Sequence, residues 1–138
     1  MLEQVLLGFD YGLKYIGVAI GQTLTRTARP LKSISARQGI PDWDALDKLI
    51  ATWKPNALVV GIPIRMDGSE QPLTHRATEF TEQLRAHYQI PVYHVDERLS
   101  TVEARSRLFE QGGYKALTKD AIDSTSAQLI LENWLRDH

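Results

Sequence analysis

Short apolar runs alternate with longer amphipathic segments along this chain, a pattern typical of α/β domains. The run from Val5 to Phe9 is almost continuously apolar and ends at Asp10, which indicates a strand covered on both faces. A second apolar run follows the turn-like segment 11–14, so the two runs are predicted to form a hairpin. A third extended piece, at about residues 28–35, would complete a meander.

Beyond Pro41 the apolar spacing lengthens to that of helices. Asp42 is placed to cap a helix that ends near Trp53, and Thr118 is placed to cap the last helix, which ends near Leu135. Two further helices are predicted over about residues 74–88 and 101–111, and two more strands over about 57–61 and 91–95. A meander followed by alternating units predicts a sheet with an antiparallel and a parallel part, in a single domain spanning residues 1–138.

Composition narrows the function classes. The chain has 138 residues and no Cys, which excludes disulfides, thiol nucleophiles and Cys-ligated zinc, and fits a reducing cytosol. We expect no secretory signal and no membrane span, because the first residues have no basic flank and no apolar run approaches about 20 residues. The net charge of -1 argues against a polyanion binder held by bulk charge alone.

Carboxylates follow two of the predicted strands. Asp10 comes just past the first strand, and Asp96 and Glu97 come just past the fifth. Ligand sites of parallel sheets lie at the carboxyl ends of the strands, so these acids are candidates for a site. For Asp10 alone, a turn cap before Gly12 is an equally good interpretation.

Asp123 lies on the apolar face of the last predicted helix. At about 100° per residue, it falls in line with Ala127, Ile130 and Trp134, the side expected to pack on the sheet. Asp120, one turn earlier, is also explained as a first-turn acid favoured by the helix dipole. Three acids that converge would need a cation, and hard oxygen ligands favour Mg²⁺ or Mn²⁺ and phosphoryl chemistry. Spacing alone does not show that they converge.

Four motifs, in order, resemble the YqgF family of bacterial RNase H-like proteins, also called RuvX or Holliday-junction-resolvase-like. They are LGFDYG at 7–12 with IGVA at 16–19, VGIP at 60–63 with Gly68, VDERLST at 95–101, and KDAID at 119–123 with the apolar residues that follow it. The third is the most specific, and the match covers essentially the whole chain. One departure is Ser126, where family members often have Ala.

The resemblance implies an α/β, RNase H-like fold: a five-stranded mixed sheet of order 3-2-1-4-5, its first three strands antiparallel, flanked by helices. It implies a metal-dependent nuclease site in which Asp10, Glu97 and Asp123 are the catalytic and metal-binding residues, with Mg²⁺ or Mn²⁺ as the cofactor. Asp120 stays open as an alternative to Asp123. The candidate substrate-binding residues are Gly12, Lys14, Arg98, Ser100, Thr101 and Arg65.

The resemblance also implies the partner and place of action. It suggests processing of the 5′ end of the small-subunit ribosomal RNA precursor in the cytoplasm, with Holliday junctions in branched DNA as the alternative substrate. Fold analogy does not decide between RNA and DNA. A resolvase would be expected to act as a dimer; the sequence reveals no interface, and we expect a monomer with the dimer left open.

Several other features have two interpretations. Arg98 would contact the scissile phosphate or pair with an acid of the site, and Ser100 also fits a helix cap with Glu103 as its capping-box partner. A basic stretch without acids would be a phosphate-contacting edge or a solvated face. Its members are Arg26, Arg29, Lys32 and Arg37.

Two competing functions stay open. The Asp-x-Gly sequence after the first strand also opens the actin-like and sugar-kinase fold, but those proteins close two lobes around ATP and this length provides one lobe. A non-catalytic nucleic-acid-binding or ribosome-assembly module would keep the acids without turnover.

Overall fold

The strands of the chain form one mixed sheet. The computed structural model describes residues 4–97, 100–113 and 117–138, without the side chains of residues 100–103, 105, 119 and 120. Its strands are β1 (Val5–Asp10), β2 (Tyr15–Gln22), β3 (Thr27–Arg37), β4 (Ile40–Pro41), β5 (Ala57–Pro63) and β6 (Val92–Glu97). They lie in the order β4-β3-β2-β1-β5-β6. β5 runs parallel to β1 and to β6, and the remaining pairs are antiparallel.

The five long strands have the predicted order, and the structure adds the two-residue strand β4. It pairs with the end of β3 across the turn Gln38-Gly39, where both residues have positive φ, 51° and 83°. Two positive φ angles are the signature of a tight two-residue hairpin turn. Gln-Gly is a less common sequence for that turn than Asn-Gly, and the short strand therefore escaped the pattern analysis.

In the described part of the chain, four helices flank the sheet: α1 (Trp43–Trp53), α2 (Pro72–His87), α3 (Ser100–Gly112) and α4 (Lys119–Asp137). Both predicted caps are present, since Asp42 accepts a hydrogen bond from the Ala45 amide and Thr118 accepts one from the Ala121 amide. α2 begins at Pro72, two residues earlier than predicted, because proline suits the first helical position. Among the described residues, no helix has both the length and the apolar character needed to cross a lipid bilayer.

The two faces of the sheet carry separate apolar clusters. On one face α1 and α2 cover a cluster that includes Phe9, Val18 and Phe80. On the other face α4 covers a smaller cluster that includes Ala19 and Leu131. Helix α3 packs on α4, where Arg107 and Glu132 form an ion pair at 3.6 Å.

Candidate active site

Asp10 is the last residue of β1 and lies between two glycines on the neighbouring strands. In the sheet register it pairs with Gly17 of β2 and with Gly61 of β5. Side chains alternate along a strand, so Asp10 projects to the same face as Leu6 and Gly8, the face that α4 covers. The missing side chains at Gly17 and Gly61 leave room beside Asp10 for other parts of the chain.

The two glycines allow the other two acids to approach. A methyl group on Gly17 would collide with the backbone carbonyl of Asp123, so α4 rests directly on the β2 backbone at this point. A methyl group on Gly61 would lie 3.1 Å from the Glu97 Oε2 atom and would also clash with Ile130. The glycines therefore set how closely Asp123 and Glu97 can approach Asp10.

Two hydrogen bonds to the sheet fix α4 in rotation about its axis. Ser124 Oγ donates to the Leu31 carbonyl at 2.5 Å, and Gln128 Nε2 donates to the Ala28 carbonyl at 2.9 Å. Both acceptors lie on β3, so these side chains, four residues apart, hold one side of the helix against that strand. Asp123 then faces the sheet and is only 6% exposed.

Glu97 is the last residue of β6, and its side chain lies on the face of the sheet that α4 covers. Burial is the main reason why the pKa of Glu97 is raised, and the negative charge of Asp123 raises it further. A hydrogen bond with Asp10 partly opposes this rise of the pKa. Glu97 therefore interacts with both of the other carboxyl groups, although the three acids come from β1, β6 and α4.

All three acids line one pocket of about 940 Å³. Its described lining consists of Asp10, Tyr11, Gly12, Leu13, Lys14, Tyr15, Pro63, Ile64, Gln71, Pro72, Leu73, Arg76, Glu97 and Asp123. Spacing along the chain does not show that the acids converge, and the fold brings them to this one cavity.

The donor chemistry of the pocket fits a hard divalent cation. The acids offer carboxylate oxygens, and neither His nor Cys is among the described lining residues. A cation would offset the repulsion and the burial that raise the pKa of Glu97. Within the described part of the chain, no three acidic or His side chains already form a group that could hold a metal ion, so an ion would have to draw the acids closer together.

The other predicted site residues fall into three groups. Gly12 and Lys14 line the pocket. Arg65 does not line it; this side chain donates to the Glu70 carbonyl at 3.0 Å within its own loop. Arg98 lies outside the described residues, and so do the side chains of Ser100, Thr101 and Asp120.

Arg76 is a pocket residue that the sequence analysis missed. This half-buried side chain on α2 donates from Nη2 to the Gln38 carbonyl at 2.7 Å. Beside it, Tyr11 Oη donates to the Gly39 carbonyl at 2.5 Å. Burial raises the pKa of Tyr11, and the Arg76 guanidinium partly offsets that rise. A signal existed, because Arg76 precedes the buried Phe80 by four residues and so shares its side of the helix.

The basic stretch, which lies on β3 and the residue before it, does not reach the acid pocket. Its four side chains are exposed and do not line the acid pocket. Arg29 stacks over the Trp53 ring, 5.2 Å from the ring centroid, which is a structural use of its charge. A phosphate-contacting role for this stretch therefore gains no support from its position.

The family model described as "RuvX: Holliday junction resolvase" matches residues 4–137 of the chain. Curated relatives have similar sequences over almost their whole length. A protein of Aeromonas hydrophila subsp. hydrophila named "Putative pre-16S rRNA nuclease" is 54% identical over 137 residues, which cover 99% of this chain and 98% of the relative. A protein of Escherichia coli O157:H7 with the same name is 55% identical over 133 residues, 96% of each chain.

Solved structures with the same fold include two Holliday junction resolvases. The fowlpox virus Holliday junction resolvase superposes with a TM-score of 0.56 at 9% identity, over 97% of this chain and 99% of the resolvase. RuvC of T. thermophilus was solved in complex with a Holliday junction substrate. It superposes with a TM-score of 0.52 at 15% identity, over 97% of this chain and 94% of RuvC. At these identities the likeness concerns the fold, and it confirms the predicted RNase H-like α/β architecture.

Proposed function

This chain belongs to the RuvX family, and on that premise we propose that it is a metal-dependent nuclease that processes the 5′ end of the 16S ribosomal RNA precursor. The names of the curated relatives support a nuclease with that substrate. An RNA precursor of this kind places the proposed activity in the cytoplasm.

The observation that carries the proposal is the convergence of three acids from distant parts of the chain on one pocket. Asp10, Glu97 and Asp123 would hold Mg²⁺ or Mn²⁺, since they supply hard oxygen ligands in a half-enclosed site. When bound, such ions activate water and stabilise the charge that develops on a phosphodiester during hydrolysis.

The protein's own residues position the reacting groups. Asp10, between its two glycines, has the other acids on either side and is the central ligand of the proposed set. Lys14, which is exposed and lines the pocket, supplies a positive charge that attracts the phosphate backbone toward the three acids. The glycines let α4 and Glu97 approach the strand that ends at Asp10.

A cleavage assay tests this proposal. Wild-type protein, with Mg²⁺, Mn²⁺ or chelator, is incubated with a 16S precursor, single-stranded RNA and a four-way DNA junction. Asp10→Asn should lower cleavage by at least about 100-fold, because outer partners of metal ligands alone are worth 10- to 100-fold. Asp96→Asn is the matched control, since Asp96 neighbours Glu97 on β6 but is exposed and points to the other face.

Two results would contradict the proposal. Cleavage by Asp10→Asn at the wild-type rate would exclude the assigned site. Binding of RNA that is indifferent to Mg²⁺, without cleavage of any substrate, would instead support a non-catalytic assembly module.

A second candidate, Holliday junction resolution, is favoured by the description of the family model itself. A junction has two-fold symmetry, so a resolvase would present two sites by forming a symmetric dimer. Paired incisions in the four-way DNA, together with a dimer in solution and intact 16S precursor, would favour this candidate over RNA processing.

A further inference from the structure

Half of the residues that line the acid pocket are apolar or aromatic. Contacts to the phosphate backbone come mainly from charged and polar side chains, backbone amides and helix N-termini, so a pocket for phosphate alone would not need this surface. The apolar residues form two walls that come from different parts of the fold. The acids line the same cavity, so a ligand large enough to fill it would contact both the acids and these walls.

The first wall belongs to the turn between β1 and β2. Leu13 and Tyr15 line the pocket, yet they are 45% and 44% exposed. Two hydrogen bonds anchor the backbone of this segment to the β3–β4 hairpin. The Gly39 amide donates to the Leu13 carbonyl at 2.9 Å, and the Ala36 amide donates to the Lys14 carbonyl at 2.7 Å. These two apolar side chains are therefore presented to solvent at the pocket on an ordered support.

The second wall lies between the end of β5 and the start of α2, and it includes Pro63, Ile64 and Leu73. Thr74 Oγ1 donates to the Pro63 carbonyl at 2.5 Å, which ties the helix to the strand. The Ile64 amide donates to the Glu97 carbonyl at 3.2 Å, which ties this wall to one of the acids. The wall and the acid therefore share one rigid support.

We infer that the two walls bind an unpaired nucleobase next to the phosphate that the acids act on. This inference rests on the proposed nuclease function and names its substrate class as single-stranded or locally unpaired nucleic acid. A nucleobase has two apolar faces suited to such walls, and the pocket volume of about 940 Å³ lies within the range of small-ligand sites. A base inside a duplex would first have to leave its stack and lose its pairing.

Binding measurements on the cleavage-deficient Asp10→Asn protein in Mg²⁺ test the inference. Fluorescence anisotropy compares a labelled single-stranded RNA, a blunt duplex of the same sequence, and a series of single strands with one abasic nucleotide placed at each position in turn. We expect one position where loss of the base weakens binding by about 5- to 150-fold, the range of stacking on an aromatic side chain. The duplex should bind as weakly as that abasic strand.

The variants Asp10→Asn/Tyr15→Ala and Asp10→Asn/Leu13→Ala should bind intact and abasic strands alike. Both side chains are exposed, so the fold should be retained, and circular dichroism verifies this. Leu24→Ala in the same background is the matched control, because Leu24 is a 63% exposed apolar residue outside the pocket and should keep the base dependence.

Equal binding of intact strands, abasic strands and duplex by the Asp10→Asn protein would overturn the inference, even if wild-type protein cleaves RNA. Base-dependent binding that Tyr15→Ala and Leu13→Ala both remove would support it, even if wild-type protein cleaves nothing. In that second case the nuclease proposal alone would fail.

Discussion

The two faces of the sheet achieve close packing by opposite means. Under α1 and α2 large side chains interlock, as where Phe9 meets the edge of the Phe80 ring at a centroid distance of 5.9 Å. Under α4 the sheet presents glycines instead, and the helix rests on backbone at Gly17. Both faces bury apolar side chains, but on the α4 face the glycines also bring a helix close to the strand backbone.

This difference suggests that the two faces contribute differently to the stability of the fold and to the chemistry of the site. Burial on the α1 and α2 face supplies hydrophobic free energy and tolerates modest changes of shape. The α4 face carries the acids, and its helix position sets where Asp123 lies relative to Asp10. Damage to the first face should lower stability, whereas damage to the second should lower activity more than stability explains.

The largest effect is expected for Gly17→Ala. The new methyl group would collide with the Asp123 carbonyl, a backbone atom that cannot turn aside. Overpacking of this kind costs about 1–3 kcal/mol, and a displacement of about 1 Å at a catalytic group costs about 100-fold in rate. Chemical denaturation and specific cleavage activity of the folded protein measure the two effects. Wild-type specific activity in this variant would contradict the role assigned to Gly17.

Leu84→Ala on the opposite face is the comparison for that variant. Leu84 is fully buried in the α1 and α2 cluster, so truncation should cost about 2–5 kcal/mol of unfolding free energy. Specific activity, measured well below the melting temperature, should stay at the wild-type value. A loss of specific activity as large as that of Gly17→Ala would remove the distinction between the faces.

Glu97→Gln should stabilise the metal-free protein at neutral pH. The pKa of Glu97 is raised above its ordinary 4.5, so the folded state holds this proton more tightly than the unfolded state. Wild-type stability relative to the variant therefore falls as pH rises from about 4.5 through the raised folded pKa, and then levels off.

Thermal unfolding in chelator at several pH values measures this gain as a higher melting temperature of the variant at neutral pH. Added Mg²⁺ should raise the melting temperature of wild-type protein more than that of the variant. An ion stabilises the folded state only as far as it binds that state, and the variant lacks the carboxylate of Glu97. A variant that is less stable than wild type at neutral pH in chelator would contradict the assigned repulsion.

The smallest effects are expected from two neighbouring serines on α4. Ser124→Ala removes the hydrogen bond to the Leu31 carbonyl and should cost about 1 kcal/mol. Ser126 is fully buried, and its hydroxyl has no hydrogen-bond partner among the described residues. Ser126→Ala should therefore be neutral or stabilising by up to about 1 kcal/mol. Denaturant midpoints of the two variants measure these changes of stability. Equal losses of stability would contradict the different roles assigned to the two hydroxyl groups.

Much of the fold was predictable because local patterns agree with the final packing. The apolar runs of β1, β2 and β5 and the caps Asp42 and Thr118 are local signals. The position of Asp123 was also predictable, since the helical period places this residue among buried ones. The hairpin at Gln38 and Gly39 was not, because its turn depends on positive φ angles that Gln rarely adopts.

The site was harder to predict from the sequence because it depends on the register between strands. The chain shows Gly17 and Gly61 as isolated glycines, and only the sheet pairing places both beside Asp10. Arg76 and the apolar walls likewise come together through tertiary contacts between distant segments. The assignment of the acids to a metal, and of Asp123 over Asp120, stays a prediction.

Titration with Mn²⁺, followed by electron paramagnetic resonance of the free ion, tests the central claim most directly. Wild-type protein should bind Mn²⁺, and Asp10→Asn and Asp123→Asn should each weaken binding by at least about 10-fold. Asp120→Asn and Asp96→Asn should bind as wild type does. Unchanged binding by Asp123→Asn, or a loss confined to Asp120→Asn, would contradict the convergence of Asp10, Glu97 and Asp123 on one metal site.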